Sequence, residues 1–92
     1  MIVTLDEVKN YLRVDTDDED ELISELMKSA QKLCMDVARI EDDAEFDSAG
    51  EVAKIAVLYT TAAFYENREE SDYHTIILKL RALLEPLRKA AF

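Results

Sequence analysis

The longest apolar stretch of the chain, Ala49 to Glu66 (AGEVAKIAVLYTTAAFYE), carries hydrophobic residues on nearly every flank. It has no proline, and its only glycine, Gly50, stands near its start. Wound at about 3.6 residues per turn, the polar positions Lys54, Thr61 and Arg68 align as one narrow stripe. A helix apolar almost all round has to be covered on several sides, by protein or by lipid. Lys54 and the Thr60–Thr61 pair break the run, which falls short of the ~20 mostly apolar residues that a membrane span needs. Protein is therefore the expected cover. The pattern predicts an all-α fold, a small bundle of about four helices around a central buried helix at roughly residues 48–68. Ser48 and Glu51 have the spacing of a capping box to start it, and the polar run Asn67-Arg68-Glu69-Glu70 ends it.

The remaining elements follow from the same alternation. Thr4-Leu5-Asp6-Glu7 is a second capping-box pattern, with Val3 placed to staple onto Val8 and a first helix ending near Val14. Residues 15–21, DTDDEDE, read as a linker whose acids sit at the positive end of the next helix, capped by Thr16 with Glu19 or Asp18 with Glu21. A calcium loop is the sharper reading of that run. It fails because Asp20 stands where a glycine is needed and Leu26 where a glutamate is needed. A second helix, about Glu19 to Arg39, places Leu22, Ile23, Leu26, Met27, Ala30, Leu33, Cys34, Val37 and Ala38 at three- and four-residue steps. Residues 40–47 form an acidic connection with Phe46 as its anchor. A last helix, capped by Ser71 or Asp72, has Ile76, Ile77, Leu80, Leu83, Leu84 and Leu87 as its inward stripe. Pro86 is expected to kink or end it near Leu84.

Composition narrows the function classes. Ninety-two residues suit one domain, 1–92, which hides only about 60–65% of its unfolded surface, so association would add to a modest stability. Twenty-one acids against 11 bases give a net charge of −10, which disfavours a phosphate backbone or an anionic membrane as partner. Cys34 is the single cysteine, so no disulfide forms within the chain, and a reducing compartment is expected. The opening MIVTLDEVK lacks the apolar core of an export signal. His74 is the only histidine, which leaves no set for a multi-histidine or sulfur-rich metal site. A Cys34–His74 nucleophilic pair would need a shared cleft, yet Cys34 falls on a packing stripe. No catalytic residue, cofactor or metal is expected, and the chain is read as acting by shape and contact.

Two short motifs add a resemblance. Tyr65-Glu66-Asn67-Arg68-Glu69 (YENRE) closes the long apolar helix, and Leu83-Leu84-Glu85-Pro86-Leu87-Arg88 (LLEPLR) follows some way on. With the opening TLDEVKNYLRVD and the acidic DEDELISELMKSAQ, the ordered set resembles the phage head-tail connector family, small helical proteins also described as possible DNA-packaging proteins. Two departures stand out. Residues 40–47 are shorter than the partly extended insertion often found there, and Ala49-Gly50 replaces a proline often found before the central helix. The resemblance implies a structural virion protein at the head–tail junction, made in the bacterial host cytoplasm, that forms a ring below the portal and takes part in head completion after DNA packaging. It implies a ring homo-oligomer, dodecameric in the virion and able to stay monomeric in isolation, with portal and tail-side connector proteins as partners. No sequence-specific nucleic acid and no membrane are implied. Carried over residue by residue, it marks Tyr65, Asn67, Arg68, Leu83, Leu84, Pro86 and Arg88 as family-motif positions and as oligomer or partner contacts. Their local reading is packing and helix ending. Apolar residues to spare on the second and last helices would supply the two patches of a ring contact, and acidic walls would let DNA slide through the channel. The rival reading is an acidic helical regulator that mimics DNA and inhibits a basic nucleic-acid-binding protein. A mimic needs its acids on one continuous face, whereas here they cluster at 15–21, 41–47 and 69–72.

Overall fold

A computed structural model describes residues 1–66 and 73–87. Within them the chain runs α1 (Leu5–Leu12), α2 (Asp20–Ala38), α3 (Asp43–Asp47), α4 (Glu51–Glu66) and α5 (Tyr73–Leu84), followed by a 3-10 turn over Glu85–Leu87. No strand occurs among the described residues. The all-α bundle around a central helix is the fold observed. Helix α2 packs along α4, α5 packs against both, and α1 lies across the same pair.

The first helix starts as its sequence dictates. The Thr4 side chain accepts the Glu7 N–H at 3.1 Å, and the Glu7 carboxylate accepts the Thr4 N–H at 3.0 Å. Val3 and Val8 are both buried on either side of this cap, the arrangement of a hydrophobic staple. Helices α1 and α2 end alike. Arg13 and Arg39 each adopt a left-handed backbone at φ 61°. Beyond them the Val14 N–H reaches Lys9 O at 2.9 Å, and the Ile40 N–H reaches Met35 O at 3.0 Å. These bonds satisfy carbonyls that a helix end otherwise leaves bare. The apolar residue after each arginine turns inward, Ile40 completely and Val14 in part.

Three expected features are corrected. Ser48 and Glu51 form no capping box: the Ser48 hydroxyl turns back to donate to Glu45 O at 2.7 Å, inside the last turn of α3. Gly50, at φ 74°, then offers its carbonyl to the Lys54 N–H at 3.1 Å. A positive φ that glycine adopts freely replaces the serine cap. The caps expected for α2 are also absent, because its N-cap is Glu19 and makes no side-chain capping bond. Most consequentially, Thr61 is fully buried and does not lie on a solvent stripe with Lys54. The hydroxyls of Thr60 and Thr61 donate to Ala56 O and Val57 O at 2.8 Å each. With its hydrogen bond made to the preceding turn, each threonine presents its methyl to the core like a valine. Arg68, the third member of that stripe, lies outside the described residues.

The core runs from Val3, Val8 and Ile23 through Cys34, Ala38 and Phe46 to Val57, Leu80 and Leu84. Phe46 is the anchor expected of the acidic connection, fully buried on the short α3. Pro86 acts as expected, since α5 stops at Leu84 and the backbone tightens into the 3-10 turn. Of the stripe assigned to this helix, Ile76, Leu80 and Leu84 are buried and Ile77 is half-buried, whereas Leu83 is exposed. The caps proposed at Ser71 and Asp72 lie outside the described residues.

Candidate interaction surface

Polar ties hold the elements that carry the surface. Lys9 of α1 lies 2.7 Å from the Asp20 carboxylate and 3.0 Å from that of Asp17, so the acidic linker is clamped at the start of α2. The lysine side chain is only 13% exposed, and its pKa is raised, first by Asp20 and then by Asp17, against desolvation. Lys54 of α4 donates to Glu7 of α1 at 2.7 Å. The Lys54 contact, followed by the Thr4 N–H, holds the Glu7 carboxyl below the ordinary carboxylate range, and Lys54 is raised in return. Gln31, buried on α2, accepts the Ile2 N–H at 3.1 Å and fixes the N-terminal arm.

Among the described residues, Cys34 and His74 do not form the nucleophilic pair weighed from the sequence. Burial pushes the Cys34 thiol up to about 11, and its Sγ lies 3.5 Å from Thr60 Oγ1 within the core. His74 is exposed on α5, so the two share no cleft. Among the described residues no cluster of His, Cys, Asp and Glu could hold a metal ion, and no helix is long and apolar enough to cross a membrane.

The motif residues separate. Tyr65 is half-buried at the end of α4, where its hydroxyl donates to Glu19 at 2.5 Å and fastens that end to the start of α2. Leu84 is wholly buried, Leu83 is 37% exposed, and Pro86 is exposed in the 3-10 turn. Asn67, Arg68 and Arg88 lie outside the described residues. The first motif precedes α5 and the second closes it, so about 15 Å of helix axis lies between them. Tyr65 and Leu84 pack within the bundle, whereas Leu83 and Pro86 are the exposed motif positions among the described residues.

The surface open to a partner includes residues the sequence pattern assigns inward or leaves unassigned. Ile55 on α4 and Leu78 on α5 are each 50% exposed, and Tyr11 on α1 is 52% exposed. On α4, Ile55, Leu58 and Tyr59 follow the i, i+3, i+4 spacing of a second helix seam, with Ile55 exposed and Leu58 and Tyr59 half-buried against the core. Lys79 of α5 sits 5.7 Å from the centre of the Tyr59 ring. Tyr59 lies about two turns before the end of α4, and Lys79 about two turns after the start of α5, as in an antiparallel pair. Ile55 and Leu83 each lie one turn beyond that contact on their own helices, and both are exposed. The one available signal for this seam is negative: an all-apolar helix with a threonine pair has no polar side to mark which apolar residues face out.

Comparison with known families supplies one match. The family model described as "Phage gp6-like head-tail connector protein" matches residues 2–83. No curated protein and no solved structure matches the chain at a significant level.

Proposed function

Since the chain belongs to the phage gp6-like head-tail connector family, a family of structural phage proteins, we propose that it is one connector-like domain that assembles as a ring subunit below the portal and completes the filled head. The observation that carries this reading is a family match over nearly the whole chain, found on a small helical body that leaves large aliphatic residues of α4 and α5 in solvent. A ring is built from heterologous contacts, which need two different complementary surfaces on each subunit. Its partners are copies of itself, the portal and the tail-side connector proteins, and its acidic side chains line or flank the channel and repel DNA. The DNA-mimic reading draws less support, because the exposed acids at 15–18 and 41–47 belong to two separate joints of the fold.

Mixing the purified chain with portal-bearing heads and imaging the vertex tests the proposal. The expected result is a ring of added density under the portal. Absence of such density, together with salt-sensitive binding of the chain to a basic nucleic-acid-binding protein, contradicts it. Basic side chains lining the hole of a ring that does form would overturn the acidic-channel part alone.

A further inference from the structure

Charge is divided unevenly along this chain. Residues 1–72 carry 20 acids and seven bases, whereas residues 73–92 carry four bases and one acid. Helix α5 itself has Lys79, Arg81 and His74 and no carboxylate. Its exposed side shows Lys79 and Arg81 beside Leu78 and Leu83. The opposite character appears at the corner where α2 passes into α3. Over residues 36–47 the exposed side chains include six acids, Asp36, Glu41, Asp42, Asp43, Glu45 and Asp47, against Arg39 alone. Beside this corner lies a groove of about 550 Å³ floored by Met35 and Ile40, with exposed Met1 at its lip and Lys28 and Lys32 on its α2 wall.

We propose that the exposed side of α5 in one copy seats on the acidic α2–α3 corner of a second copy, with Leu78 or Leu83 entering the groove and Lys79 and Arg81 meeting Asp42 and Asp43. The proposal rests on the ring reading above and specifies the contact it requires. The α5 patch sets two leucines among cations, and the corner sets an apolar groove in a net acidic rim, six acids against Lys28, Lys32 and Arg39, a complementarity of net charge that orients an encounter. The patches differ in sign and shape, so the contact is head-to-tail and leaves a free patch at each end of a pair, as a growing ring needs. Bare DNA fits α5 poorly, since two exposed leucines stand among the cations.

A charge swap tests the contact. One variant carries Lys79→Glu and Arg81→Glu, the other Asp42→Lys and Asp43→Lys; all four residues are exposed, and circular dichroism verifies that both variants fold. Sedimentation at millimolar chain concentration and low salt is expected to show the wild type associating. Each variant alone should associate at least about tenfold more weakly, and an equimolar mixture should recover wild-type association. Added salt should weaken the wild-type complex. A wild type that stays monomeric overturns the proposal, as do variants that associate as well as the wild type or a mixture that fails to recover. Loss of DNA binding in the first variant with association unchanged also overturns it. None of these outcomes touches the ring reading, which is decided separately on portal-bearing heads.

Discussion

The seam between α2 and α4 and the outer side of α4 and α5 use opposite kinds of residue. At the seam, Ala30, Cys34 and Ala38 of α2 meet an α4 that contributes Ala53, Ala56, Val57 and Thr60, all fully buried. Small side chains let two helix axes approach closely. On the outer side stand Ile55, Leu78 and Leu83. A lone exposed leucine is ordinary in any protein. Three large aliphatics stand out on two helices in contact, while small residues fill the α2–α4 seam and Phe46, Ile23, Leu80 and Leu84 supply the bulk of the core. On the proposed ring reading, the seam serves the subunit and the outer side serves the assembly.

Substitutions can break that contrast, and the largest effect belongs at the seam. Thr61→Asp places an unpaired charge in the core and is expected to cost about 3–5 kcal/mol, read from chemical denaturation. Ile55→Asp, on the same helix but facing out, should stay within about 0.5 kcal/mol. Similar losses for both would show that α4 has no outer side. A polar stripe through Lys54 and Thr61 would make Thr61→Asp mild; full burial of Thr61 reverses that expectation.

Overpacking comes next. Ala56→Leu should cost about 1–3 kcal/mol, because the seam has no room for the added carbons, whereas Leu83→Ala should leave the monomer's melting temperature nearly unchanged. A smaller effect concerns the frame between the two regions. Glu7 titrates below the ordinary carboxylate range because Lys54 and the Thr4 N–H favour its charged form. Its contribution is present above the usual carboxylate pKa and is lost as pH falls through the lowered value, on the acid side of about pH 4. Glu7→Gln should therefore flatten the acid limb of the stability curve and leave its neutral part nearly unaltered in shape. Smallest is Arg13→Gly, which relieves a left-handed backbone and should stabilise by up to about 1 kcal/mol. A loss there would mean that the arginine side chain contributes more than its backbone conformation costs.

Much of this fold was legible from periodicity and capping. The Thr4–Glu7 box, the extent of α2, the anchor at Phe46 and the stop before Pro86 each have a local cause in neighbouring residues, and each is found in place. What was not legible depends on tertiary context. Thr61 reads as polar until its hydroxyl is seen bonded to Val57 O, after which it is core. Ser48 has two carbonyl and amide environments within reach, and the α3 turn wins. Gln31 looks like any surface glutamine on α2, yet it is the residue that fixes the N-terminal arm. The motif residues were the least legible part of the surface. Tyr65 and Leu84 proved to be fastened within the bundle, while Ile55 and Leu78 carry no motif and stand in the open.

The division between a sealed seam and an outer side held for neighbours is most directly tested by a cryo-EM reconstruction of this chain assembled on the portal, at side-chain resolution. The account predicts that Leu78 and Leu83 of each copy are covered by the next copy, while Ala56, Thr60 and Cys34 keep the packing they have in the single chain. An assembly in which both leucines still face solvent, or in which the α2–α4 seam has opened to make the contact, would contradict it.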